Sequence, residues 1–151
     1  MKRIIAAIVI CVLCAFALVG CRSPRIIGDT VEIGEDMFIA QINDIYLNQK
    51  DYLGKTIKFE GMFTQYTWEA ENKTYYMVYR RSPGCCGNDG QAGFEVVWPP
   101  DAETALYPAE NDWCLVEGAL ATYVEGSQAY LHIVLTALTV KPDRGAEFVE
   151  R

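Results

Sequence analysis

Hydrophobic and polar positions change their rhythm several times along the chain. An apolar run, Ile4 to Phe16, follows the basic start Met1-Lys2-Arg3 and is too short for a comfortable membrane span. Residues 22–35 contain Pro24, Gly28 and Gly34 and show no sustained period. From Asp36, placed to cap a helix, Phe38, Ile42, Ile45 and Tyr46 recur at helical spacing and stop before Asp51 to Gly54. Beyond that the period is two. In Lys55 to Phe63, Ile57, Phe59 and Phe63 face inward, Lys58 and Glu60 face outward, and Gly61 offers a bend. A turn at Glu71-Asn72-Lys73 leads to a strand over Thr74 to Arg81, and Ser82 to Gly93 reads as a glycine-rich loop. Phe94 to Trp98 is a short strand ended by Pro99-Pro100, and Ala102 to Tyr107 is a brief helix. Asp112 to Val124 and Gln128 to Val140 form a hairpin around Glu125-Gly126-Ser127.

One helix, three strands, a short helix and two strands predict an all-β domain. The expected form is a five-stranded, OB-fold-like Greek-key barrel with an N-terminal helix and a short helix between strands three and four. An open antiparallel sandwich is the alternative. The domain is expected to span 36–142, with a flexible tether over 21–35 and a charged, frayed tail over 143–151.

The leader gives the address. Leu18-Val19-Gly20-Cys21 matches the lipobox of bacterial lipoproteins, so residues 1–20 are a signal peptide and Cys21 is the lipid attachment site. The mature protein is expected outside the cytoplasm, held to a cell-envelope membrane by its acyl chains. Loss of Lys2 and Arg3 with the leader takes the formal charge from −7 to −9. Such an acidic surface disfavours phosphate backbones, so no nucleic-acid partner is expected.

Six cysteines reduce to three candidates. Cys11 and Cys14 leave with the leader and Cys21 carries lipid. Cys85 and Cys86 sit between Pro83-Gly84 and Gly87-Asn88-Asp89-Gly90. Adjacent α-carbons are about 3.8 Å apart, below the usual disulfide range of about 4.4–6.8 Å, so a Cys85–Cys86 bond would be strained and easily reduced. Pairing of either with Cys114 is sterically easier. Two soft thiolates also suit zinc or another thiophilic metal, with Asp89 as a third ligand and Cys114 or His132 as further ones. Against that, Cys114 shares a face with Val116 and Leu120, as a buried inert thiol would, and His132 points away from the face of Leu131 and Ile133. Tyr66, Trp68, Tyr75, Tyr76, Tyr79, Trp98 and Trp113 supply either a ligand platform or the core of a small barrel. No phosphate loop or Ser-His-Asp set occurs, so catalytic residues are not assigned.

Three motifs carry a family resemblance: Tyr52-Leu53-Gly54-Lys55, Cys85-Cys86-Gly87-Asn88-Asp89, and Asp112-Trp113-Cys114-Leu115-Val116-Glu117-Gly118. Together they make residues 52–118 resemble the C-terminal domain of the YcgQ-like family of uncharacterised bacterial membrane proteins. Those relatives precede the domain with transmembrane helices, where this chain has a lipid anchor. The resemblance implies an extracytoplasmic OB-like domain working beside a membrane permease or another envelope protein. The expectation is therefore a non-enzymatic accessory or binding module that acts through the Cys85-Cys86 loop, by binding a metal or a permease, with a thiol-redox enzyme or sensor, or a small-ligand or glycan binder, as alternatives.

Overall fold

The computed structural model describes residues 25–27, 29–82, 90–100, 102 and 107–149. Among the described residues, seven strands and two helices follow one another: β1 (Arg25–Ile27), β2 (Thr30–Glu32), α1 (Phe38–Leu47), α2 (Gln49–Tyr52), β3 (Thr56–Trp68), β4 (Lys73–Ser82), β5 (Gly90–Val97), β6 (Trp113–Glu125) and β7 (Gln128–Val140). None of the described helices is long and apolar enough to cross a membrane.

The long strand β3 closes the sheet by serving two neighbours. Thr56 to Met62 pair with β6, and Met62 to Trp68 pair with β4. The handover falls at Met62, next to Gly61, where a Cβ would lie 2.7 Å from the carbonyl oxygen of Tyr79. Only a glycine lets the strands approach that closely at the corner. From β3 the ring runs through β4, β5, β7 and β6 back to β3, with β5 and β7 parallel and the other pairs antiparallel. That order is the OB-type Greek-key barrel expected from the sequence, and closure removes the free edges an open sandwich would keep.

Alternation along the strands fills the barrel. Ile57, Phe59, Phe63, Val78, Phe94, Val96, Cys114, Val116, Leu120 and Ile133 are all buried in one core. Helix α1 adds Phe38, Ile42 and Ile45 to it, the side that its spacing predicts. Tyr46 lies at the rim of that side, stacked on Phe94 and donating to the carbonyl of Gly93 at 3.1 Å.

Several boundaries differ from expectation. Within the stretch read as a tether, β2 pairs in parallel with the start of β3, and Val31 and Ile33 are buried. Two alternating apolar residues between Gly28 and Gly34 are too few to show a period, yet they suffice to join the sheet. The tail read as frayed is tied down at 147–149. Arg81 donates its amide to the Glu147 carbonyl, Val149 donates to the Arg81 carbonyl, and the Val149 side chain is buried. Met37, not Asp36, takes the cap position of α1, with no side-chain cap bond. Strand β5 starts at Gly90, inside the predicted loop. Gly93 belongs there because a Cβ would lie 2.1 Å from the Val78 carbonyl oxygen, a close crossing that glycine permits. The predicted helix over 102–107 falls mostly outside the described residues.

Candidate functional site: a polar cavity beside the barrel

Arg80 stands two residues after Val78, on the same side of β4, and so enters a buried position that the alternation would give to an apolar residue. It is only 4% exposed. Its Nε donates to the Glu60 carbonyl at 2.7 Å; its Nη1 donates to Glu35 Oε1 at 3.0 Å and to the Ala146 carbonyl at 3.2 Å. The guanidinium lies 4.9 Å from the ring centre of Phe38 and 4.8 Å from that of Trp113. A flat, delocalised cation suits such stacking. Burial lowers its proton affinity, while Glu35 and Glu60 oppose that change.

Around Arg80 opens a cavity of about 670 Å³, walled by residues from β2, the turn before α1, α1 itself, β3, β4, β6 and Lys141. Its volume lies within the usual range for small-molecule sites. Gln41, buried on α1, accepts the amide of Gly34 at 2.9 Å and holds the turn in shape. Glu60 accepts from Lys141 Nζ at 2.5 Å and from Trp113 Nε1 at 3.0 Å. Burial works to raise the Glu60 carboxyl, but those two bonds and the nearby charges of Lys141 and Arg80 hold it below its ordinary value. Met37 and Leu115, both partly exposed, add an apolar part to the wall, while the side chains of Ile33 and Phe59 are buried in the core. The cavity is thus lined by fixed charges of both signs next to a hydrophobic surface.

A second polar cluster ties the β6–β7 hairpin to the barrel. Glu125 binds Lys73 and accepts the single proton of the Tyr75 hydroxyl, which lies 2.9 Å from both carboxylate oxygens. Tyr123 donates to Glu95 Oε2 at 2.6 Å and stacks on His132 at 4.9 Å between centroids. This is the face, beside strands two and three of the barrel, that OB-folds use for ligands. Here its side chains bond mainly to one another. The predicted aromatics divide accordingly. Tyr79 and Trp113 are buried with Met62, Tyr76 and Trp98 pack with Tyr107 and Phe63, and Tyr66 and Trp68 are exposed at 61% and 51%.

Of the residues singled out from sequence, Cys21, Cys85, Cys86 and Asp89 lie outside the described residues. Cys114 is in the core, its Sγ 3.7 Å from the Asp112 carbonyl oxygen, and burial with the Asp112 charge pushes its thiol up to about 12. His132 is on the outer surface, where burial lowers its pKa against the pull of Glu95. The two do not meet. Along β6, Cys114 is seven residues from Ala121, the partner of His132, a separation of about 23 Å at strand rise. A shared metal set with both is thereby ruled out, and among the described residues no three His, Cys, Asp or Glu side chains cluster as metal ligands. The cavity itself escaped sequence reading. Its one signal was the cation Arg80 at an inward-facing strand position.

A closed OB-type barrel with an added β-hairpin, a capping helix and a polar side cavity defines the class of protein. The chain belongs to the DUF1980 C-terminal domain family, whose model matches residues 25–144. That match begins at β1, in agreement with the sheet and not with a tether reaching to residue 35. No curated protein matches the sequence. Among solved structures, the chain is similar to a small single-stranded DNA-binding protein from Streptomyces coelicolor. Identity is 21%, the alignment covers 62% of this chain and 97% of that one, and the TM-score is 0.36.

Proposed function

We propose that the mature chain is a non-enzymatic binding module, anchored through lipidated Cys21 outside a bacterial cell-envelope membrane, that takes a small ligand in the Arg80 cavity. A permease or another envelope protein, as the family resemblance suggests, is its working partner. The observation that carries this reading is the cavity: about 670 Å³, of mixed charge, with a buried arginine fixed in its wall. The short link to the anchor adds support. Arg25 opens β1 only four residues after Cys21, within about 14 Å even when fully extended. Arg25 also lies opposite Glu32, a cavity residue, so the cavity would face the bilayer closely. Carboxylates Glu95 and Glu125 on the usual OB ligand face argue against a phosphate-backbone partner.

Gly34 supplies the test, because it lines the cavity and a Cβ there would meet nothing within 4 Å. Gly34→Trp should fill the space and leave the fold intact. Wild type should gain melting temperature with some members of a panel of polar metabolites, and the variant should not. Equal gains in both would remove the cavity as the site. Cys21→Ser should move the protein from the membrane to the soluble fraction, and unchanged sedimentation with membranes would contradict the anchor.

In sequence, Cys85 to Asp89 follow the end of β4 at Ser82, next to Arg81, which the C-terminal segment straps. Its thiolates suit zinc or copper(I). Metal analysis of the reduced full chain should lose any bound ion in a Cys85→Ser, Cys86→Ser double variant, and equal metal in both proteins would end this part of the proposal.

A further inference from the structure

Where β3 turns from β4 to β6, it leaves the end of β4 without a strand on that side. β4 pairs with β3 only as far as Tyr79, while Arg80, Arg81 and Ser82 pair with β5. Residues 145–149 lie along this edge as a short strap. Phe148 stands opposite Arg81 in a parallel bridge, closed by the Arg81 amide on the Glu147 carbonyl and the Val149 amide on the Arg81 carbonyl. Arg80 Nη1 adds a bond to the Ala146 carbonyl, and the Ala146 amide donates to Glu35. Side chains hold the strap less. Glu147 meets Arg81 at 3.4 Å in a partly exposed ion pair, Phe148 is exposed, and Val149 is buried. Gly145 is the tight point, since a Cβ there would lie 2.9 Å from the Trp113 ring. Two features set the strap apart from the barrel. No side chain between residues 142 and 148 is buried, so little apolar contact opposes its local opening. The family match ends at residue 144, so the β4 edge lies within the shared domain and its occupant lies outside the matched span.

We infer that this edge of β4 is a docking site for an extended peptide segment of a partner protein, and that the strap is a built-in occupant which the partner replaces. The inference does not depend on what the cavity holds. An amide and a carbonyl of one residue, both aimed outward along a strand edge, are matched by another backbone. Strand addition takes its affinity from such main-chain bonds and its selectivity from alternate side chains. The strap shows which side chains fit: a glycine at the Trp113 ring, a carboxylate for Arg81, and, two residues after that carboxylate, a β-branched apolar residue for the buried seat. A second copy of the chain carries the same segment, but its formal charge of −7 opposes self-association. A partner segment with the strap's pattern is free of that repulsion.

The test uses the full chain in detergent micelles, with a synthetic peptide of residues 143–149 as the probe. In wild type, the Arg81 and Val149 amides should exchange hydrogen at least about 100-fold faster than the Val116 amide in β6. Val149→Asp should release the strap and keep the barrel, because a carboxylate does not suit the buried seat. This variant should bind the peptide at least about tenfold more tightly than wild type, whose own strap competes, and the bound peptide should slow exchange at Arg81. The peptide carrying the same Val149→Asp change should not bind. Equal exchange of the three amides in wild type, an unfolded Val149→Asp chain, or no peptide binding to that chain at about 1 mM would make the strap a fixed part of the core and overturn the proposal. A wild-type dimer that Val149→Asp abolishes would give the edge to a second copy and overturn the partner segment.

Discussion

Arg80 brings a charge into the wall of the core with its hydrogen bonds already assigned. Two of its acceptors are backbone carbonyls and the third is Glu35, whose side chain is half exposed. The stability tied to this residue therefore comes more from stacking and carbonyl bonds than from the ion pair. Arg80→Ala should cost about 3 kcal/mol in denaturant unfolding, and Glu35→Gln less than about 1 kcal/mol. A larger loss for Glu35→Gln than for Arg80→Ala would reverse that order. His132 offers a pH signature. Its folded pKa is lowered, so the unfolded chain takes up the proton first, near 6.5, as pH falls. Stability should decline from about pH 7 toward the lower folded value, and His132→Gln should flatten that slope. An unchanged slope would show that other groups control it. Cys114 and His132 had legible orientations, because alternation sets them. Glu35 as the partner of Arg80 was not legible, since that contact depends on residues 30–35 entering the sheet.

Among the elements, the strands were more legible than their ends. The barrel order, the bend at Gly61 and the last hairpin follow from alternation and turn residues. Strands β1 and β2 are three residues each, too short for any period to register, and the C-terminal strap is held mainly by backbone bonds that no side-chain pattern reports. Glycines between Ser82 and Gly93 resembled a loop because glycine serves both turns and close crossings. At Gly93 the crossing is what matters. Gly93→Ala should push β5 away from β4 and cost about 2–3 kcal/mol in thermal or denaturant unfolding, whereas an unaffected protein would contradict the packing described.

At the scale of the whole molecule, the proposed anchor Cys21 and the residues that begin the cavity wall lie close together in the sequence. The segment that leaves Cys21 becomes the edge hairpin, and the residues after it form the cavity's rim. Under the proposed lipid anchoring, the fold would bring the cavity close to the membrane. The most direct measurement is non-denaturing mass spectrometry of the full-length protein, extracted from membranes and incubated with a filtered small-molecule extract of bacterial cells. Wild type should carry the acyl mass of a lipidated Cys21 together with a bound small molecule, and Gly34→Trp should carry the same acyl mass with no ligand. Identical ligand masses on both proteins, or none on either, would contradict the account.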